Sequence, residues 1–119
     1  MNKVKVALTQ YGPSPKIGGW DKYGDSDTDA GVGIQNRKLT RQSCALTDTV
    51  RDALGALPGD NIEIDLGGGQ IIYRVYDDRA PEANARVDLY QPIGFDSTIP
   101  DGLSSPVYVS LPVRKAGLA

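Results

Sequence analysis

The chain has 119 residues, a formal net charge of −2, no histidine and a single cysteine, Cys44. This length allows one domain with a single core, and the slightly acidic balance argues against nucleic acid as the main partner, because nucleic-acid-binding domains usually carry a basic stripe. The missing histidine excludes zinc sites built from His and Cys, and the usual Ser–His and Cys–His catalytic pairs. Any chemistry is therefore expected to depend on carboxylates, tyrosines, lysines or hydroxyl groups.

The N-terminal segment MNKVKVAL has no apolar stretch as long as that of a signal peptide, and no apolar run in the sequence approaches the length of a membrane span. We therefore expect no membrane partner. We also expect no cofactor and no metal. The one thiol, Cys44, follows Ser43 and precedes Ala45 in a run that leans apolar, which predicts a buried structural cysteine.

The first predicted element is a strand at residues 4–11, which ends at Tyr11 before a Gly-Pro-Ser-Pro turn. A long loop is predicted at residues 16–33, which are rich in glycine and aspartate and show little periodicity. The acids of residues 25–29 alternate as they do in a calcium-binding loop. The glycine and the distal glutamate of that motif are missing, so a solvated loop is the favoured interpretation.

The middle of the chain predicts a weak strand at residues 40–47, followed by a two-turn helix at residues 48–55. Thr47 or Asp48 is the expected N-cap of this helix, and Gly55 is its expected end. A Leu-Pro-Gly-Asp turn then leads into the second half of the chain.

The second half begins with a predicted hairpin. Residues 61–66 alternate polar and apolar side chains as a half-buried strand does, and residues 70–76 are rich in β-branched and aromatic residues. The three glycines between them predict a hairpin connection rather than a phosphate-binding loop, because two strands flank them and no helix follows.

Two more strands are predicted at residues 86–91 and 107–113, with a loop at residues 92–106 and a loose tail at about residues 114–119. Five or six short strands, long loops and at most one short helix predict an all-β fold, a small closed barrel that occupies residues 1–119 as a single domain. Closure also removes the exposed sheet edges that so short a chain would otherwise present.

An aspartate in a predicted strand is the first candidate functional residue. Asp88 lies between Val87 and Leu89, although aspartate is depleted in strands and ordinarily occupies turns and caps. Residues that break a local rule are often kept for function. Two further acids, Asp77 and Asp78, end the preceding β-branched and aromatic run.

The order of these pieces resembles that of the double-psi β-barrel group, which includes the three-aspartate domain and the catalytic barrel of membrane-bound lytic transglycosylase A. Expansins and the rare lipoprotein A family are more distant relatives. The resemblance covers about residues 4–113, and the segment VDLYQPIG at residues 87–94 is close to the transglycosylase segment that carries the catalytic acid. Asp77, 11 positions before Asp88, matches the family's second aspartate, and Asp48, in the segment ALTD, matches the first.

The sequence departs from this pattern after the second acid, where DDRAP at residues 77–81 replaces the family's Asp-Thr-Gly-Gly. That version leans towards the Asp-Arg-Gly-Pro of the rare lipoprotein A proteins and would align Asp78 instead of Asp77. Strict strand alternation places Asp78 on the same face as Tyr76 and Asp77 on the opposite face, so only one acid can line a groove, and the spacing favours Asp77. The helix-and-linker domain of the transglycosylase has no counterpart in these residues, so half of the usual sugar groove is expected to be missing.

The resemblance implies a six-stranded double-psi barrel that acts on peptidoglycan or another polysaccharide. Lytic transglycosylases cut the β-1,4 bond that lysozymes cut, but the muramyl O6 hydroxyl traps the oxocarbenium-like carbon, so one carboxyl group serves first as acid and then as base. Asp88 is assigned this role, with Asp77 or Asp78 as its electrostatic partner, and desolvation and the neighbouring acid are expected to raise its pKa. Substrate contacts are assigned to Asp48, Tyr11, Tyr90 and Gln91.

A second interpretation is a non-catalytic module with the same barrel, which binds glycan or is a structural or assembly part of a phage particle. A third is purely structural: Asp88 is a solvated strand residue, and Asp77 and Asp78 open an ordinary turn. The basic residues at positions 37, 38 and 41 contact an anionic polymer or, as is commoner, form a solvated loop. If it acts on murein, the protein is expected in the cell wall or periplasm, or in a phage particle.

Overall fold

The structure is a computed structural model that describes residues 3–22, 30–99 and 102–112, with residues 102–106 described by their backbone only. Within these residues, six strands close into a barrel and one short α-helix packs against it. The strands are β1 (Val4–Tyr11), β2 (Ser43–Thr47), β3 (Asn61–Gly67), β4 (Gln70–Ala80), β5 (Arg86–Tyr90) and β6 (Gly102–Ser110), and the helix α1 is Asp48–Leu54. The predicted small all-β barrel with one short helix is confirmed.

The strands follow one another around the barrel in the order β1-β5-β2-β4-β3-β6. The pairs β1/β5 and β2/β4 are parallel, and the other four pairs are antiparallel. If β1, β2 and β3 are exchanged for β4, β5 and β6 in that order, every strand keeps the same kind of neighbour, and each pair stays parallel or antiparallel as before. The barrel is therefore built from two topologically equivalent halves that interleave, and each half contributes one strand to each parallel pair.

Alternate residues of every strand fill the inside of the barrel, as the period of two along a strand requires. The largest fully buried side chains are Leu8, Leu46, Ile62, Ile64 and Leu89. Burying each such side chain stabilises the fold by roughly 1.5–3 kcal/mol. The predicted burial of Cys44 is confirmed, since none of its surface is exposed.

Strand β4 is longer than predicted, because it runs to Ala80 instead of ending at Tyr76. It pairs with β3 along its first half and with β2 along its second half, so a partner supports its backbone over the whole length. Asp77 and Asp78 therefore lie inside a strand and not in the predicted turn. The predicted loop at residues 92–106 is also partly wrong, because β6 begins at Gly102.

The turns follow the expected chemistry. Gly55 ends α1 in the left-handed region with φ of 66°, and its N–H donates to the last carbonyl groups of the helix. The three glycines after β3 all have positive φ and connect β3 to β4 as the predicted hairpin. Thr47 is the N-cap residue of α1, but its side chain does not cap the helix; it accepts a hydrogen bond from Arg86 N at 3.1 Å. The predictions for residues 25–29 and 114–119 lie outside the described residues.

Candidate functional site

A row of side chains crosses the outer surface of the barrel on four neighbouring strands. Val87 and Leu89 point into the core, so Asp88 between them projects outwards. Asp88 is the register partner of Thr9 on one side and of Ala45 on the other, and Ala45 is in turn the register partner of Asp78. We call Thr9, Asp88, Ala45 and Asp78 the acidic row. Its two aspartates are separated by two strand spacings, about 10 Å between Cα atoms, with Ala45 on the strand between them.

Asp88 has an unusual electrostatic environment. Its carboxyl group is partly buried, and it makes no side-chain hydrogen bond or ion pair with the described residues. The pKa of Asp88 is raised to about 7, mainly by burial and next by the negative charge of Glu82, while the nearby Arg86 opposes the rise. At neutral pH a large share of the molecules therefore carries a proton on this carboxyl group.

Asp78 is held by a hydrogen bond from a tyrosine of β1. The Tyr11 hydroxyl donates to Asp78 Oδ2 at 2.7 Å, and the Tyr11 ring packs edge to face on Tyr90 with 5.3 Å between the ring centroids. Burial raises the pKa of Tyr11 well above its usual value, and the charge of Asp78 adds to that rise, so the phenol stays a neutral donor. The structure thus brings together Asp88, Asp78, Tyr11 and Tyr90 on one outer face.

Asp77 occupies a different environment from its neighbour Asp78. Its carboxylate accepts hydrogen bonds from Ser43 Oγ and from Arg37 Nε, both at 2.6 Å. The pairing of β2 with β4 shifts by one residue between Cys44 and Ala45, and Asp77 is the extra residue of this bulge. The bulge breaks the strict alternation expected from the sequence.

As a result, Tyr76 points into the core while Asp78 projects outwards, so the expectation that these two share a face is wrong. The ion pair of Asp77 ties the segment around residue 37 to the barrel wall. Among the two adjacent acids, it is Asp78 that lies in the row with Asp88.

Asp48, assigned from the sequence to substrate binding, is the first residue of α1 and forms two ion pairs. Arg79 donates to both of its oxygens, with Nε at 2.8 Å and Nη2 at 2.9 Å, and Arg51 Nη1 lies 3.1 Å from Oδ1. These guanidinium groups, Arg79 above all, lower the pKa of Asp48. The arrangement joins the start of the helix to the end of β4.

Gln91 fixes the segment that follows β5. Its side-chain amide donates to Gln10 Oε1 at 3.1 Å, and its backbone carbonyl accepts a hydrogen bond from the Trp20 indole at 2.7 Å. The indole crosses directly over Gly12, where a Cβ atom would lie 2.6 Å from the Gln91 carbonyl oxygen, so no larger residue fits. Trp20 also packs edge to face on Phe95, which is half exposed.

Sequence reasoning missed Thr9, Ala45 and Glu82. The Thr9 hydroxyl is buried and has no hydrogen-bond partner among the described residues, although it belongs to the register partner of Asp88. Nothing in the local sequence marks these residues, because their role follows from which strands become neighbours. The hydrophobic alternation of β1 predicts that Thr9 lies on the outside of the barrel. It does not predict that Thr9 lies beside Asp88, because that depends on the pairing of β1 with β5.

No group of three or more aspartate, glutamate and cysteine side chains is arranged to hold a metal ion in the described part of the chain. The helix found in the same residues is too short to cross a bilayer. No protein-family model matches the sequence, and no curated protein matches it significantly. The family resemblance therefore stays a prediction.

Proposed function

We propose that this protein is a double-psi β-barrel that cleaves β-1,4-linked glycan of the peptidoglycan type by the lytic transglycosylase reaction, with Asp88 as the acid and base. The observation that carries the proposal is a partly buried carboxyl group on the outer face of the barrel, without a polar partner among the described residues and with a pKa of about 7. General acids work best when their pKa lies near the working pH.

The strand order supports the double-psi assignment. Two equivalent halves that interleave around a closed six-stranded barrel, each giving one strand to each parallel pair, are what that architecture requires. A simple meander would pair only neighbours in sequence and would contain antiparallel pairs alone.

In the proposed reaction, Asp88 gives its proton to the leaving O4 oxygen while the bond from C1 to that oxygen breaks. The muramyl O6 hydroxyl then bonds to C1, and Asp88 takes the O6 proton, which restores its starting state. No water and no second nucleophile are needed, unlike the reactions of ordinary glycosidases. Asp78 lies across Ala45 from Asp88 and supplies negative charge near the oxocarbenium-like carbon.

Aromatic side chains at the same end of β1 and β5 support a sugar-binding role. Tyr11 and Trp20 are partly buried and Phe95 is half exposed, so their faces and edges can contact the apolar faces of pyranose rings. Tyr90 is only 4% exposed and therefore supports the Tyr11 ring from behind. Trp20 and Phe95 extend the set of sugar contacts assigned from the sequence.

A non-catalytic glycan-binding module is the second candidate, and a specific observation favours it. Asp48 and Asp77, two of the acids assigned from the sequence, are occupied by ion pairs with Arg79, Arg51 and Arg37. A site that keeps only Asp78 and Asp88 has fewer groups for chemistry than the family pattern implies.

The test is incubation of the protein with purified peptidoglycan at pH 6–7, followed by mass analysis of the soluble products. We expect 1,6-anhydromuropeptides from the wild type and a loss of about 100-fold or more in their rate of release with Asp88→Asn, which keeps the shape and removes the acid. The matched control is Asp65→Asn on β3, which is opposite β5 in the barrel. It removes one carboxylate but keeps the oxygen that accepts the Gly67 N–H.

Wild-type release that Asp88→Asn leaves unchanged would refute the catalytic role of Asp88. No release, with retention of the protein on insoluble murein, would instead support the binding module. Neither release nor retention would remove both candidates and leave only the barrel.

A further inference from the structure

Two donors without partners lie next to the carboxyl group of Asp88. In the described part of the chain, three buried side-chain polar atoms have no hydrogen-bond partner, and two of them are Thr9 Oγ1 and Arg86 Nε. Thr9 is the register partner of Asp88 on β1. Arg86 is the first residue of β5, two positions before Asp88. Most of these unsatisfied atoms are therefore concentrated around the proposed general acid.

Arg86 and Asp88 project from the same side of β5. Val87 and Leu89 pack into the core, so the residues that alternate with them point outwards. Residues two positions apart on one face of a strand have their Cα atoms about 7 Å apart. An arginine side chain that lies along the strand can span this distance and bring its guanidinium to the neighbouring carboxyl group.

Arg86 has one side-chain partner among the described residues, and that contact is long. Its Nη1 lies 3.5 Å from Glu82 Oε1, which is longer than an ordinary N–H···O bond. The side chains of Arg86 and Glu82 are 29% and 39% exposed, so water screens the pair and weakens it. Glu82 lies in the connection between β4 and β5, outside any strand. The contact is therefore weak enough to be exchanged for another.

The charges around Asp88 come from several elements of the fold. The charged groups that act on its carboxyl group are those of Glu82, Arg86, Asp21 and Asp78. The Tyr11 phenol and the Cys44 thiol also interact with its charge, and both stay neutral because burial raises their pKa values. Among these groups Arg86 is the one cation. It is therefore the group that can compensate the charge of an ionised Asp88.

We propose that Arg86 is a positioning residue that exchanges partners: its guanidinium contacts Glu82 while Asp88 is protonated, and it donates to the Asp88 carboxylate while that group is ionised. The exchange gives the buried donor and the carboxylate the partner that each lacks. Its part in catalysis rests on the proposed function. In that reaction the carboxylate exists between the transfer of a proton to O4 and the return of a proton from O6, and Arg86 holds it in place during this interval.

The test is an NMR titration of ¹³C- and ¹⁵N-labelled protein without substrate from pH 5 to pH 9. The carboxyl carbon of Asp88 measures its ionisation, and the ¹⁵Nε signal of Arg86 measures the new contact. We expect the Arg86 signal to shift with the same midpoint as the Asp88 carboxyl carbon. This transition should be absent in Asp88→Asn. An Arg86 side chain that only supports folding would not show such a coupled transition.

Three substitutions test the exchange by its effect on the Asp88 midpoint. Arg86→Gln should raise the midpoint by about one pH unit, because a nearby cation favours the ionised form. Glu82→Gln should lower it by a similar amount, since Arg86 then stays with Asp88. The matched control is Lys5→Gln, which removes an exposed cation about 13 Å along β1 from Thr9 and should shift the midpoint by less than about 0.3 unit.

Glu82 is exposed, so Glu82→Gln keeps the proposal testable if Arg86→Gln prevents folding. With peptidoglycan as substrate, Arg86→Gln should move the alkaline limb of the pH–rate profile upwards by the same amount as the NMR midpoint. An Arg86 signal without the coupled transition would overturn the proposal, and so would an Arg86→Gln shift no larger than that of Lys5→Gln. The titration needs no turnover, so a coupled transition in a protein that releases no anhydromuropeptides would contradict the proposed function and leave the exchange of partners standing.

Discussion

Asp77 and Asp88 belong to neighbouring parts of the same barrel, and yet their carboxyl groups are in opposite situations. Asp77 is 7% exposed and accepts hydrogen bonds from Ser43 and Arg37. Asp88 is partly buried too, but it has no hydrogen-bonding side chain or cation in contact among the described residues. One carboxyl group therefore has two direct hydrogen-bond donors, and the other has none among the described residues and a pKa raised by burial.

The comparison shows that two acids with little exposure can differ completely in their partners, since Asp77 has two strong donors and Asp88 has none among the described residues. A buried carboxylate with two strong donors holds chain segments together. A carboxyl group that burial desolvates without such donors retains a proton at higher pH, which is the property that a general acid needs. Four substitutions would break or sharpen this contrast.

Asp77→Ala should have the largest effect on stability. The substitution leaves Ser43 Oγ and the Arg37 guanidinium without their acceptor, and hydrogen bonds to charged groups contribute about 1.5–3 kcal/mol each. Arg37 is partly exposed, and this lowers the expected loss, so we expect a free energy of unfolding about 3 kcal/mol below that of the wild type. Urea unfolding measures it, and Asp65→Ala on β3 is the control, since this partly buried aspartate accepts only one hydrogen bond, from the Gly67 N–H. A loss below about 1 kcal/mol would show that the ion pair does not hold the loop.

Asp88→Asn should have the opposite sign, and the effect should depend on pH. An unfolded aspartate has a pKa of about 3.9. The folded value is about 7, so between pH 4 and pH 7 the native state keeps a proton that the unfolded state has lost. The stability of the wild type therefore falls as pH rises through this window and levels off above it. The amide variant has no such loss.

We expect Asp88→Asn to match the wild type near pH 4 and to exceed it by roughly 2–3 kcal/mol at pH 8, which is the free energy of a pKa shift of about three units reduced for the partial exposure of the group. Urea unfolding at both pH values measures the change in the difference, and pH effects of other groups cancel. A difference that stays constant from pH 4 to pH 8 would mean that the Asp88 pKa is not raised.

The sequence predicts one part of this contrast, the candidate acid Asp88, but not the partners of Asp77. Hydrophobic alternation placed the strands, and the misplaced polarity of Asp88 between Val87 and Leu89 identified it as a candidate. The roles of Asp77 and Asp78 could not be predicted, because the one-residue bulge in β4 depends on the pairing with β2. Arg37 lies 40 positions before Asp77 in the sequence, so no local sequence pattern predicts the ion pair between them.

Tyr11→Phe should have a smaller effect than either acid substitution. It removes the hydroxyl that donates to Asp78 Oδ2 and keeps the ring that packs on Tyr90. The bond that is lost is one to a charged group, but Asp78 also accepts a hydrogen bond from the Arg79 N–H. We therefore expect a loss of about 1–2 kcal/mol in the free energy of unfolding. Tyr90→Phe is the control, because no hydrogen bond of its hydroxyl is found in the described residues. Equal losses in the two variants would show that the hydrogen bond to Asp78 is not the cause.

Thr9→Val should have the smallest effect, and it tests the surroundings of Asp88 most directly. Valine has nearly the shape of threonine and lacks the buried hydroxyl that has no hydrogen-bond partner among the described residues. If that hydroxyl is unsatisfied, its removal should leave the free energy of unfolding unchanged or raise it by up to about 1 kcal/mol.

If instead the hydroxyl turns to donate to the ionised carboxylate of its register partner, Thr9→Val should raise the Asp88 pKa further, since a donor to the charged form lowers it. A ¹³C titration of the Asp88 carboxyl carbon in both proteins separates the cases. A clear loss of stability without a pKa change would show that Thr9 bonds elsewhere, and the dry environment assigned to Asp88 would then have to be revised.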